Sequence, residues 1–112
     1  MATSKITKII ESGSNSYGSY IKFEDGTQIC YGSFNKSLAA NSYTEHLLRY
    51  PSSFANGFSV APICGLQVWA DPRNYSILAR GTGQTEVTLR IGNNGVAVDV
   101  TIWWIAIARW KA

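Results

Sequence analysis

The chain has 112 residues, enough for one domain and too short for a second independent core. Hydrophobic residues make up 46% and charged residues only 15%, against about 25% charged in a typical soluble domain. That excludes a disordered tail and leaves the polar surface to Ser, Thr, Asn and Gly, or to cover by partner chains. The formal net charge is +3, a mild bias.

Residues 1–15 read as a lead-in, joining something upstream to a compact domain over residues 16–112. Within it Lys5–Glu11 is too short to fold alone, and Ser12–Ser19 is a flexible polar segment. Ser19–Phe23 and Thr27–Tyr31 then flank Glu24-Asp25-Gly26. An Asp-Gly pair between β-rich runs marks a hairpin, with positive φ expected at both central residues. Phe34–Asn41 reads as a loop. Tyr43–Tyr50 is ambiguous between a short helix and a strand, and the strand is preferred because Pro51 disfavours a helical Tyr50. In the strand reading Tyr43, Glu45, Leu47 and Arg49 share one face.

Phe58–Ala70 is strand-like but broken by Pro62 and Gly65, which place it at an edge or bulge. Asp71–Asn74 is a turn, Tyr75–Arg80 and Thr85–Ile91 are short strands, and Gly81–Gly83 and Gly92–Gly95 are turns. Val96–Trp110 is a long last strand. Val98, Val100, Ile102, Trp104, Ala106 and Ala108 face one way; Asp99, Thr101, Trp103, Ile105, Ile107 and Arg109 face the other. Both faces are apolar from Ile102 to Ile107, so both need cover: one from a second sheet, the other from a neighbouring subunit. The fold expected is all-β, a small antiparallel sandwich of six to seven strands.

The search for chemistry finds binding residues rather than catalytic ones. Cys30 and Cys64 lie in apolar strand patterns and read as two buried free thiols; with His46 the one histidine, no zinc site is expected, and no cofactor. Glu45 and Asp99 are the acids that would have to converge on a sugar for glycosidic cleavage, and no spacing supports it. No GxSxG elbow, P-loop or dinucleotide motif is present, so the chain is not expected to be an enzyme. The cations are scattered from Lys5 to Lys111, unlike the one-sided basic face of a nucleic-acid binder. No apolar run reaches the roughly 18 residues of a membrane helix, and no signal peptide or membrane insertion is expected.

Four Trp residues stand out. Their faces suit sugar C–H surfaces and protein interfaces alike. Trp103 and Trp104, with Ile105 and Ile107, read as core or subunit-contact residues; Trp69 and Trp110 lie at strand ends, where exposure is more common. Candidate polar contacts are Asp71, Arg73, Asn74 and Tyr75 in one loop and Asn93 and Asn94 in another, with Trp69 as a stacking alternative. The same two segments also fit ordinary turns.

Three segments together resemble the C-terminal domain of bacteriophage and prophage tail fibres. They are Gly13–Phe23 running into Asp25–Gly32, then Tyr50–Phe54 with Val60–Pro62, and finally Trp104–Lys111. The ending is similar to a "WxAIGRW" pattern, with Ala108 where Gly is usual. The later segments resemble H-type lectin domains more loosely, with Trp104 at the family Trp and no His beside it. The resemblance implies a β-sandwich homotrimer at the tip of a fibre. It further implies that the domain binds a host surface glycan such as lipopolysaccharide, or an outer-membrane protein receptor, through loops presented in three copies. It also implies a place in the virion after assembly in the host cytoplasm. The alternative is a capping domain that trimerises the fibre while another segment binds the host.

Overall fold

A computed structural model describes residues 8–57, 60–68, 72–80 and 83–111. Eight strands form two antiparallel sheets: β1 (Ile9–Asn15), β2 (Gly18–Phe23), β3 (Thr27–Leu38), β4 (Ser42–Arg49), β5 (Ile63–Gln67), β6 (Tyr75–Arg80), β7 (Glu86–Asn93) and β8 (Val98–Arg109). The large sheet has the order β1-β2-β3-β8-β5, the small sheet β4-β7-β6. The two pack face to face as a sandwich, and a 3-10 turn, Pro72–Asn74, precedes β6. The expected fold class is therefore the observed one, with one strand more than the pattern predicts.

The extra strand is β1. The segment read as a flexible lead-in is a hairpin with β2, registered from Ile9↔Phe23 to Asn15↔Gly18. Its two-residue turn is set by Asn15, whose Oδ1 accepts from the Tyr17 amide at 2.9 Å and whose Nδ2 donates to the Pro51 carbonyl at 3.0 Å. Tyr20 lies across Gly13, and its hydroxyl donates to Glu11 Oε2 at 2.8 Å. The backbone ladder supplies the order here, and a Ser/Gly-rich edge strand shows no alternating apolar pattern to announce it. The second correction is the loop expected over Phe34–Asn41: β3 continues to Leu38, with Phe34 and Leu38 turned inward. Within Phe58–Ala70 the strand is Ile63–Gln67; Val60 makes one isolated bridge to Gly83, and Phe58 and Ala70 lie outside the described residues.

The Asp-Gly hairpin is present, with Tyr20↔Cys30 and Lys22↔Gln28 in register, but its turn differs from the one expected. Only Gly26 has positive φ (101°). Asp25 serves through its side chain, accepting the Thr27 amide at 2.9 Å. This is a three-residue loop that ends on a glycine in the left-handed region. The C-terminal residues close over it. Arg109 Nη2 donates to the Asp25 carbonyl at 2.8 Å, Trp110 Nε1 to the Phe23 carbonyl at 2.7 Å, and the Trp110 amide to the Gly26 carbonyl at 2.9 Å. A Cβ at Gly26 would strike the Arg109 guanidinium.

The core lies between the sheets. From β8 come Val100, Ile102, Trp104 and Ala106; from β7, Val87, Leu89 and Ile91. Trp104 is 4% exposed and lies over Gly32 and Gly18, where a Cβ would meet its ring at 3.1 Å in each case. Tyr50 tilts against it at 6.0 Å between centroids, and Phe54 meets Tyr50 edge-on at 5.0 Å. The Tyr50 hydroxyl is paired by donating to the Val60 carbonyl at 2.8 Å, as a buried phenol requires. Cys30 and Cys64 are free thiols; Cys30 is buried, with burial pushing its pKa up to about 11, while Cys64 is half-buried rather than buried as expected. His46 stacks on Phe34 at 3.9 Å between the sheets. Its pKa is lowered by burial first and by Lys36 second.

Two predictions follow from this packing. Trp104→Ala should cost about 3–5 kcal/mol, measured by denaturant unfolding. His46 has a lower pKa folded than unfolded, so the unfolded chain binds the proton first. Its contribution is intact above the ordinary histidine value of about 6.5 and declines as pH falls toward the folded pKa. The melting temperature should therefore fall from neutral pH to pH ~5.5, and His46→Phe should flatten that slope.

Candidate binding surfaces

The loop residues picked from the sequence do come together. Tyr75 on β6 pairs with Asn93 on β7, and the Asn94 amide donates to the Asn74 carbonyl at 2.8 Å. Arg73 and Asn94 are exposed, and Asn74 is half-buried. These residues gather at one end of the sandwich. The turn at Glu24–Gly26, with Lys8 and Lys111 beside it, occupies the other: the Glu24 amide donates to the Lys8 carbonyl at 2.8 Å and Lys111 Nζ to the Glu24 carbonyl at 3.3 Å. Trp69 and Asp71 lie outside the described residues.

Asn93 and Tyr75 have structural work instead. Asn93 is 1% exposed. Its Nδ2 donates to the carbonyls of Ala39 (3.1 Å) and Val96 (2.9 Å), and its Oδ1 accepts the Gly95 amide at 2.8 Å. It ties two loops together and has no group left for a ligand. Tyr75 packs against the core cluster of Ile91, Val100 and Ile102. The alternation of β7 carries the signal that separates the two asparagines: Val87, Leu89 and Ile91 point inward, so Asn93 does too.

The outer face of the large sheet is the second surface. Trp104 is core, but Trp103 and Ile107 are not: each is 55% exposed on the opposite side of β8, with Ile105 half-buried between them. Register places Tyr31 and Ile63 on either side of Ile105, and Ile29 opposite Ile107. Toward the loop end the same face becomes polar. There Thr101 Oγ1 donates to Asn35 Oδ1 at 2.8 Å, and Ser37 Oγ to Asp99 Oδ1 at 2.7 Å. Trp110, the other strand-end tryptophan, is half-buried over the hairpin turn.

The outer face of the small sheet is charged. Glu45 on β4 accepts from Arg90 Nη2 at 2.7 Å and from Arg80 Nη1 at 3.3 Å, and these contacts hold its carboxyl below the ordinary value, Arg90 first. The Arg90 guanidinium also lies 4.2 Å from the Tyr43 ring centroid. Glu45 and Asp99 thus stand on opposite outer faces of the sandwich, where they cannot flank one glycosidic bond.

No protein-family model and no curated protein matches the sequence. Solved structures do match in fold. The C-terminal portion of a P. aeruginosa R1 pyocin fiber aligns with a TM-score of 0.68 at 13% identity, over 88% of this chain and 28% of that one. An N-truncated R1-type pyocin tail fiber aligns at 0.67 and 13% identity, over 88% of this chain and 86% of that one. A P. aeruginosa R2 pyocin fiber aligns at 0.59 and 15%, over 89% of this chain and 26% of that one. The sandwich described above is thus a fold shared with pyocin fibres.

The two neighbouring asparagines should behave differently. Asn93→Ala removes the bonds from a buried side chain to the Ala39 and Val96 carbonyls and the Gly95 amide and should lower stability by about 1–3 kcal/mol, whereas Asn94→Ala, on an exposed side chain, should change it by no more than ~0.5 kcal/mol. Paired thermal or urea melts of the two variants check this.

Proposed function

We propose that this chain is a receptor-binding domain of a tail fibre, attaching a phage or phage-like particle to the bacterial surface without covalent chemistry. The observation that carries this reading is the fold likeness to an N-truncated R1-type pyocin tail fiber over 88% of this chain and 86% of that one. The interlock of the Asp25–Gly32 and Trp104–Lys111 segments supports it, since the residues that resemble tail fibres are the ones that hold the sandwich together. So does the position of the loop cluster. A shaft joined through residues before Lys8 would leave Arg73, Asn74 and Asn94 at the far end, facing the host.

In this reading the domain is a homotrimer. Ile105 and Ile107, with Ile29, Tyr31 and Ile63 around them, form an exposed apolar surface of the kind that marks protein contacts. Three linked copies raise weak single-site affinity by avidity, typically 10² to 10⁴-fold. The ligand is a surface glycan such as lipopolysaccharide, and the domain is a binder rather than an enzyme. The same apolar surface also fits a second reading, in which the domain trimerises and caps the fibre while host attachment lies elsewhere.

Light scattering behind a sizing column should give three times the 12.3 kDa chain mass; a monomer at micromolar concentration removes the trimer. The labelled protein should bind intact bacteria saturably, and extracted lipopolysaccharide should compete. Arg73→Ala combined with Asn94→Ala should weaken that binding. Saturable binding that polysaccharide leaves untouched indicates a protein receptor, and a trimer that binds no strain of a broad panel supports the capping role.

A further inference from the structure

The loop cluster leaves unused a second set of groups on the large sheet. Trp103 stands on the border between its apolar and polar halves. The residues registered beside it are Ser33 on β3 and Gly65 on β5, so no bulky side chain crowds the indole within its own rung. The ring is held: Nε1 donates to Gln67 Oε1 at 3.0 Å. Beyond it lie the Thr101–Asn35 and Ser37–Asp99 pairs. A shallow depression of ≈ 420 Å³ runs over this polar strip, and one of ≈ 550 Å³ lies over Trp103, Ser33 and Gly65 and continues onto the apolar patch at Tyr31, Ile63 and Ile105. Both fall within the ~300–1,000 Å³ range of small-ligand sites.

We propose that this strip is a saccharide-binding groove, in which one pyranose ring stacks on Trp103 while its hydroxyls bond to Asn35, Thr101, Gln67 and Asp99. The proposal rests on the receptor-binding reading and names a different site for it. An exposed indole offers an apolar face to the C–H face of a sugar. Amides and hydroxyls that donate and accept are the partners a sugar hydroxyl needs. Each of these side chains is already oriented by a cross-strand bond and keeps further capacity: Nδ2 of Asn35, Nε2 of Gln67 and Oδ2 of Asp99. Little side-chain freedom remains to be lost on binding. The strip holds one carboxylate and, along its border, the cation Lys36, a balance that suits a neutral sugar better than a phosphate or a polyanion. Its far end meets the loop end of the sandwich, since the Ser37–Asp99 pair adjoins Leu38 and Val98, and Asn93 bonds to the Ala39 and Val96 carbonyls just beyond. A polysaccharide chain can therefore lie along the face and reach the loops.

The test uses the full chain labelled with ¹⁵N and an oligosaccharide cleaved from the lipopolysaccharide of a strain to which the protein adheres. The indole N–H resonance of Trp103, assigned by its loss in Trp103→Phe, should shift on titration together with the side-chain amides of Asn35 and Gln67. Trp103→Ala should weaken binding about tenfold or more with the oligomer mass unchanged. Gln67→Leu, which releases the indole without removing it, should weaken binding by a smaller factor. Shifts confined to Asn74 and Asn94, with the Trp103 indole unmoved, overturn the groove and leave receptor binding standing. A change of oligomer mass in Trp103→Ala identifies a second copy of the chain as the occupant of this face and also overturns it. A wild-type chain that adheres to no strain defeats the receptor-binding reading, and the groove falls with it.

Discussion

The pairing of β3 with β8 is the constraint on which the rest of the sandwich depends. It runs unbroken from Thr27↔Arg109 to Leu38↔Val98. Strands β2 and β1 add to its β3 side and β5 to its β8 side, so every strand of the large sheet takes its position from this one ladder. The ladder also fixes the two adjacent tryptophans. Successive side chains on a strand point to opposite faces, so once Gly32 faces Trp104 on the inside, Ser33 must face Trp103 on the outside. A one-residue slip of β8 along β3 would bury Trp103 and expose Trp104, reversing the two faces of the strand.

That alternation explains how much of the molecule was legible in the sequence. The two faces of β8 could be read residue by residue, as could the outward set of Tyr43, Glu45, Leu47 and Arg49 on β4, because one face of each strand packs on the core. The Asp25-Gly26 turn was legible from local chemistry alone, although it uses Gly26 and an Asp25 side-chain bond rather than two left-handed residues. What could not be read was order supplied by the backbone. Strand β1 has Ser, Gly and Asn over most of its length, and the second half of β3 alternates inward residues with Ser and Asn; both are strands because a partner ladder is available. The site was half legible for the same reason. Turn composition found the cluster of Arg73, Asn74 and Asn94, but it could not tell an exposed amide from Asn93, whose place on an inward rung turns it into a tie between loops.

The outer faces of the two sheets divide the chemistry of the surface. Ion pairs occupy the small sheet, where Glu45 lies between Arg80 and Arg90 and Arg49 pairs with Glu86. These exposed pairs contribute little to stability. The large sheet carries the polar strip and the apolar patch. A net charge of +3 therefore says little about where this molecule makes contacts, because Glu45, Glu86, Arg49, Arg80 and Arg90 are already paired on the outer face of the small sheet. On the outer face of β8 the charged residues, Asp99 and Arg109, stand at the two ends of the strand, with neutral side chains between them.

The ladder between β3 and β8 also sets the order in which the chain can fold. Its members lie far apart in sequence: Ser37 and Asp99 are separated by 62 positions, and the Arg109 contact to Asp25 spans 84. Loop closure over such distances must precede any reward from the contacts, and topologies of this kind fold slowly. During synthesis the first hairpins can form alone, but the large sheet has no centre until β8 has emerged. Until then the edge of β3 that β8 will occupy remains uncovered and prone to pairing with neighbouring chains. Where copies of the chain are held side by side, as in the trimer proposed above, the late arrival of β8 would place correct closure and exchange of that strand between neighbours in direct kinetic competition.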